Sequence, residues 1–327
     1  MAGYDASIEE LEPVPGSGNT DFEVSLVSLN QWQLAWRRFL RHKMAVFGTI
    51  LLLSIIAMAV IGPILVPYDA LKVPNPLLYC PGTTHKAGSG CPPSFSVAYF
   101  RPFGTTGGLQ EDLFALVMTG ARLSLLIGIG ASVISAVIGA IVGGVAGYFG
   151  GWTDGILMRV CDVLLSLPIL FVILVVSNFL GQGKSDWWTV MLIFAVFGWA
   201  GLARLVRSVF LSLKGETFVD AARAVGVSDY RIIFRHILPN SVSPIIVATT
   251  LSVAAVIVGE AFVSFLGFGV NPITPTWGNI LSNAQNFLSQ GNWWWTFFPG
   301  LFLVLTVLAV NFMGDGLRDA LDPRARL

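Results

Sequence analysis

Residues 212–241 read SLKGETFVDAARAVGVSDYRIIFRHILPNS, and they stand between two long apolar runs. A plain connector would be short and rich in turn residues. This segment instead has the marks of two short helices. Thr217 can cap the first, through Phe218–Val225, where Ala221, Ala222 and Ala224 favour helix and keep its surface thin. Gly226 ends it by supplying a left-handed residue. Ser228 can cap the second, Asp229 suits its positive end, and Pro239 closes it. Small alanines on an exposed helix leave room for another surface to come close. From the residues alone, an ordinary interfacial helix pair and a docking element stay equally open.

The flanking runs, roughly 187–211 and 242–268, are each long enough to cross about 30 Å of hydrocarbon at about 1.5 Å per residue. Four more satisfy the same rule, at 44–67, 122–149, 160–182 and 296–315. The expected fold is therefore all-α and polytopic, with six transmembrane helices. Composition agrees: 54% of the 327 residues are hydrophobic, 12% are charged, and the mean hydropathy is +0.74. A soluble domain carries roughly 25% charged residues. The run at 44–67 follows more than 40 residues, too many for a signal peptide, and is read as an uncleaved anchor.

The placement of charge orients the chain. With the N-terminus in the cytoplasm, 14 Lys and Arg fall inside and 5 outside, the five being Lys72, Lys86, Arg101, Arg122 and Lys184. That is the positive-inside bias, and the reverse orientation breaks it. Trp187–Trp188 and Trp293–Trp295 each precede a run re-entering from outside, where an aromatic belt belongs. Both termini and residues 212–241 are then cytoplasmic, and residues 68–121 are extracytoplasmic. Residues 1–24 hold six acids and no Lys or Arg, and are expected to be a disordered acidic tail. Residues 25–43 suit an interfacial helix, with Trp32, Trp36, Phe39 and Leu40 on one stripe and Arg37, Arg38 and Arg41 off it.

Several chemistries are excluded. The stretch NFLGQGKS, 178–185, comes within one residue of a phosphate-binding loop. It lacks the first glycine, follows an apolar helix instead of a strand, and lies at the outer end of a span, so it is read as a polar turn that binds no nucleotide. Three cysteines and three scattered histidines form no CxxC or HExxH pattern, so no metal site is expected. No His lies within a span and no GxSG occurs, which removes an intramembrane protease. The chain is expected to have no catalytic residues, to bind no cofactor and to meet no nucleic acid. Cys80 and Cys91 lie in the outer segment, where a disulfide between them would contribute up to about 3 kcal/mol on the chain-entropy model. Cys161 is expected to be a packing residue.

Charges inside spans call for explanation. Glu260, near the outer end of the fifth run, either faces a pathway or partner or is a buried acid bonded to hydroxyls such as Ser264. Asp162 stands three residues after Arg159, which suggests an ion pair on one helix face. Pro168 is expected to kink its helix. Glycines at 128, 130, 139, 143, 144 and 147 suit close helix packing.

DAARAVG followed by SDYRIIFRHILP resembles the coupling motif of ABC importer permeases, E-A-A-x-x-x-G, nine residues, then I-x-L-P. Asp220, Ala221, Ala222, Gly226, Leu238 and Pro239 fall on its positions, with Asp220 in place of Glu and His236 in place of Ile. The stretches 144–154, 161–168, 199–226, 259–281 and 314–324 resemble the C-type permease of dipeptide and oligopeptide importers, so the likeness covers about 35–327. One region departs: RPFGTTGGLQED, 101–112, has Thr106 where the family has Asp, and Gln110-Glu111 where it has Gly-Arg.

The resemblance implies a type I ABC importer transmembrane domain, with coupling helices at 215–239 in a core of 122–327. It implies a permease subunit in a bacterial or archaeal cytoplasmic membrane, without an ATPase site of its own. Its partners would be a homologous second permease, two cytoplasmic ABC ATPases and an extracytoplasmic substrate-binding protein. The substrate would be a di- or oligopeptide; nickel chelates, glutathione or another small solute stay open. A secondary transporter or channel is the alternative of a different class, and it leaves the cytoplasmic helix pair without a role.

Overall fold

The computed structural model describes residues 31–65, 90–96, 99–107, 111–180 and 185–321. The acidic tail and residues 181–184 of the phosphate-loop lookalike lie outside this range. Helix α1 (Gln31–Arg41) turns at His42 into α2 (Lys43–Leu65), where the His42 Nδ1 accepts the Ala45 N–H at 3.1 Å. The stripe on α1 divides: Trp36 and Leu40 are exposed, whereas Phe39 is buried beside Ala45 and Ala320. A two-stranded antiparallel hairpin follows, β1 (Ser94–Ser96) and β2 (Tyr99–Arg101).

Helix α3 (Leu113–Phe149) is the post of the structure. It starts nine residues earlier than the apolar run alone indicates, because the Asp112 side chain caps it through the N–H groups of Phe114 and Ala115. Its most extensive neighbour is α6 (Trp187–Lys214). Gly139, Gly143 and Gly147 recur every fourth residue along that seam; a Cβ at Gly147 would sit 2.7 Å from Phe210 Cβ. Gly128 meets Ile257, and Gly130 meets Met191. The small residues thus serve backbone approach, as the sequence suggests.

The third apolar run is not one straight helix. It is α4 (Gly151–Ser166) and α5 (Ile169–Leu180), bent by 78°. Leu167 is extended, as the residue before a proline is driven to be, and Pro168 caps α5 with its carbonyl. Among the described residues, five helices are long and apolar enough to cross a membrane, and six such spans result if the bent pair counts as one. The expected pair between Arg159 and Asp162 does not form; Asp162 bonds Arg204 of α6 instead. A neighbouring helix offers a better-placed cation than the next turn of its own. Asp154 of α4 likewise holds Arg207 by two hydrogen bonds.

The remaining elements are α7 (Thr217–Ala224), the short α8 (Asp229–Arg231), a π-helical turn (Ile232–Ile237), α9 (Leu238–Phe265), α10 (Trp277–Leu288) and α11 (Trp293–Leu321). The amide-rich sequence of α10 carries no transmembrane signal, so the apolar runs miss it. It caps the end of the bundle opposite α7. Trp277, fully buried, donates its indole N–H to the Val117 carbonyl at 3.2 Å.

The described residues of the atypical segment, 101–107 and 111–112, adjoin this cap. Thr105 and Thr106 are each 1% exposed. The Thr105 hydroxyl accepts the Cys91 N–H at 2.7 Å, and its carbonyl accepts the Trp294 indole at 3.0 Å. The Thr106 hydroxyl accepts the Glu111 N–H at 3.0 Å. An aspartate at that position would accept the same bond, so Thr106 keeps the turn that the family's residue can make.

Candidate functional site: the coupling element and its lever

Helix α6 ends at Lys214 with Gly215 as its C-cap, and α7 begins two residues later at Thr217. Glu216, not Thr217, is its N-cap residue, without a side-chain cap bond. The other end follows expectation closely. Gly226 has φ +77°, its N–H bonds the Arg223 carbonyl at 2.9 Å, and the Val227 N–H reaches back to the Ala222 carbonyl at 3.1 Å. This pair of bonds is a Schellman ending, and the left-handed residue it needs is the glycine.

The two faces of α7 differ. Val219 and Ala222 are buried with Val206, Phe210, Ile232 and Ile237, so the element is clamped to α6 and the π-helical turn. Phe218, Val225, Tyr230 and Phe234 are exposed, with Val225 79% and Tyr230 72% accessible. Asp220 lies on the open side, 3.6 Å from Arg223. The motif residues therefore divide. Asp220 and Ala221 are surface, Ala222 is an internal contact, and Gly226 is a turn.

Pro239 corrects the sequence reading, and Leu238 is the first residue of α9. Pro239 does not close the second helix; it lies in the first turn of α9, which continues without a break. The π-helical turn explains this. There the Leu238 N–H bonds back to Ile233, five residues away, so the ladder has already changed register where the proline would leave a bond unmade. The result is one apolar rod from Asp229 to Phe265. Ser228 is its N-cap residue by backbone geometry, without a side-chain bond.

The coupling end of the rod is tied to α3. Tyr148, 4% exposed, donates its hydroxyl to the Asp229 carboxylate, and Lys214 Nζ donates to the Tyr148 carbonyl at 2.5 Å. Sequence reasoning passed over Tyr148, because nothing local marks a tyrosine near a helix end as the partner of an acid 81 positions on.

Glu260 sits at the far end and is fully buried. Its carboxylate accepts from Ser264 Oγ at 2.8 Å and from Ser124 Oγ of α3 at 3.1 Å. The bond to Ser264 is the one that the second sequence reading names. Ser124 was not foreseen. Cys91 is buried and disulfide-bonded; Cys80 lies outside the described residues.

A groove of about 710 Å³ runs along α9 between α5 and α11. Leu251, Ala255, Val258 and Phe262 line it at helical spacing, and Asn311 supplies a polar group. Among the described residues no group of three or more His, Cys, Asp or Glu is placed to hold a metal.

Two family models match. Residues 135–327 match the binding-protein-dependent transport system inner membrane component, and residues 30–77 match the N-terminal TM domain of oligopeptide transport permease C. The chain is 40% identical over 299 residues to the dipeptide transport system permease protein DppC of Bacillus subtilis (strain 168), covering 91% of this chain and 88% of that one. It is 36% identical over 315 residues to the oligopeptide transport system permease protein OppC of the same organism, covering 96% and 97%. It is 38% identical over 295 residues to the glutathione transport system permease protein GsiD of Escherichia coli O6:K15:H31 (strain 536 / UPEC), covering 90% and 91%.

Proposed function

The chain belongs to the membrane components of binding-protein-dependent transport systems, as a C-type permease of the peptide ABC importers, and on that premise we propose that it carries di- or oligopeptides inward, driven by ATP hydrolysed on partner subunits. The observation that carries the reading is the join between α7 and the rod Asp229–Phe265. A surface knuckle locked to the end of a membrane-crossing helix converts movement outside the bilayer into movement within it.

The mechanism follows from that geometry. The α7 end lies in the cytoplasm, in keeping with the bias of 14 basic residues against 5. An ABC ATPase seats on α7 and the segment that follows it, where Phe218, Val225, Tyr230 and Phe234 offer apolar contact and Asp220 and Arg223 offer charge. A second, homologous permease faces this one across the pathway and carries the other ATPase, and an extracytoplasmic binding protein delivers the peptide. ATP binding draws the two ATPases together, and each knuckle moves with its ATPase. Ala222 and Val219 pass that displacement to the π-helical turn, and so to α9. ATP thereby biases a two-state membrane element whose states open to opposite sides. The chain contributes no ATPase site.

Purification in mild detergent, identification of the co-purifying subunits and reconstitution into vesicles test this reading. The expected outcome is a second permease and two ATPases, with ATP-dependent uptake of labelled di- and oligopeptides. The relative named for glutathione makes that tripeptide the first competitor to include. A homo-oligomer without an ATPase, moving solute down its gradient, would replace the reading with a channel or secondary carrier.

A further inference from the structure

The rod from Asp229 to Phe265 is fastened to α3 at both ends by the same chemistry, a carboxylate bonded to a hydroxyl. The two fastenings are not equal. At the outer end Glu260 has no exposed surface, and two hydroxyls donate to it. Each hydroxyl oxygen also accepts a backbone N–H, Ser264 from Val270 in the loop leading into α10 at 3.2 Å and Ser124 from Trp277, the first residue of α10, at 3.3 Å. A hydroxyl has one proton to give. With its oxygen already accepting, each of the two spends that proton on Glu260. One carboxylate therefore joins α3, α9 and the start of α10.

Packing leaves the outer end no slack. Ile257, Ala261, Val263 and Ser264 are buried around Glu260, and a Cβ added at Gly278 would stand 2.5 Å from the Ala261 carbonyl. At the coupling end the polar fastening is different. Asp229 is exposed, bonds one hydroxyl, and adjoins the π-helical turn, although Ile232 and Ile237 of that turn are buried. Between the two ends, residues 242–253 are all half-buried. A rod whose polar fastening is buried at one end and exposed at the other turns about the buried one.

We infer that Glu260 is a positioning residue, the pivot about which α9 turns, and that the Asp229–Tyr148 contact is the link that opens and closes as the coupling end moves. The inference rests on the importer reading above. Glu260 touches no substrate and acts through the helix it anchors. A glutamine of the same size would present an NH₂ to a hydroxyl whose oxygen is already accepting and whose proton then has no acceptor. The pivot would slip, and motion of the coupling end would no longer swing the helix.

The test uses the complete reconstituted complex, with spin labels on paired cysteines across each link. Phe149→Cys with Ser228→Cys flanks the Tyr148–Asp229 contact; Arg122→Cys with Phe262→Cys flanks the Ser124–Glu260 contact. All four positions are exposed. Distances are compared without nucleotide and with ATP trapped. The first pair is expected to shift by about 5 Å, the scale of one helical turn, while the second stays within its resting distribution. An outer pair that moves as far as the inner one overturns the pivot and leaves the importer reading standing. An inner pair indifferent to ATP overturns both. In Glu260→Gln, ATP hydrolysis is expected to stay within about twofold while uptake per ATP falls about tenfold, the scale of one lost charge-assisted hydrogen bond. Parallel loss of assembly, hydrolysis and uptake would make Glu260 a plain structural residue and refute the inference.

Discussion

Replacing Gly226 separates a backbone requirement from a packing requirement. Gly226 adopts φ +77°, and a Cβ built there meets nothing within 4 Å. A substitution therefore incurs only the cost of holding an L residue in the left-handed region, about 1–2 kcal/mol. That is a factor of roughly 5–30 in the population that keeps the α7 ending. Asparagine tolerates this region best of the alternatives, alanine less well, and a β-branched valine least. Matched amounts of Gly226→Asn, Gly226→Ala and Gly226→Val permease, purified in mild detergent, should retain ATPase subunits in that descending order. Peptide-stimulated ATP hydrolysis should fall in the same order, while the melting temperature of the membrane bundle moves little. Equal behaviour of the asparagine and valine variants would refute the reasoning, because no other property of the site distinguishes them.

Three further outcomes are expected. Thr106→Asp should leave both stability and peptide preference unchanged, whereas Thr106→Val should lower stability by about 1 kcal/mol in thermal unfolding, since the half-buried Glu111 N–H loses this hydroxyl. Asp154→Asn and Arg207→Gln should each lower the melting temperature, and the double variant should lose less than their sum, with a coupling of about 1 kcal/mol after allowance for side chains 17% and 33% exposed. Gly147→Leu should reduce the yield of monodisperse detergent-solubilised protein by overpacking the α3–α6 seam, at about 1–3 kcal/mol, because the new Cβ meets Phe210 Cβ at 2.7 Å and the Arg207 carbonyl at 2.8 Å.

The parts of this structure that could be read in advance are those written in one run of residues. Apolar length located the spans, Gly226 announced the end of α7, and the α3 glycines announced a close seam. Whatever depends on a second run was hidden. Asp162 was matched to Arg159 because a helical spacing rule sees only its own helix, while the partner stood on α6 as Arg204. Glu260 was noticed, but its partner Ser124 lies 136 positions away. The bend at Leu167 was expected as a kink, yet its 78° depends on where α5 packs, which no local signal carries. Helix α10 was missed because its stability comes from burying Trp277 and from Asn279, whose amide bonds the carbonyls of Val270, Asn271 and Thr274. Pro239 misled for a related reason: the π-helical turn that accommodates it has no mark in the sequence.

The division of the coupling motif between its two faces also governs how it can diverge. Ala222 and Gly226 answer to the chain itself, one by contact and one by conformation, so changes there are judged by folding before any partner is met. Asp220 and Val225 are not held by the core: the Asp220 side chain is 69% accessible and meets Arg223 one turn on, Val225 is 79% accessible, and neither packs in the interior. In a cell that holds several importers built alike, those outward positions are where a permease can drift toward one ATPase and away from another at no cost to its own assembly. The aspartate that stands here where the family's motif has glutamate is a change of that permitted kind.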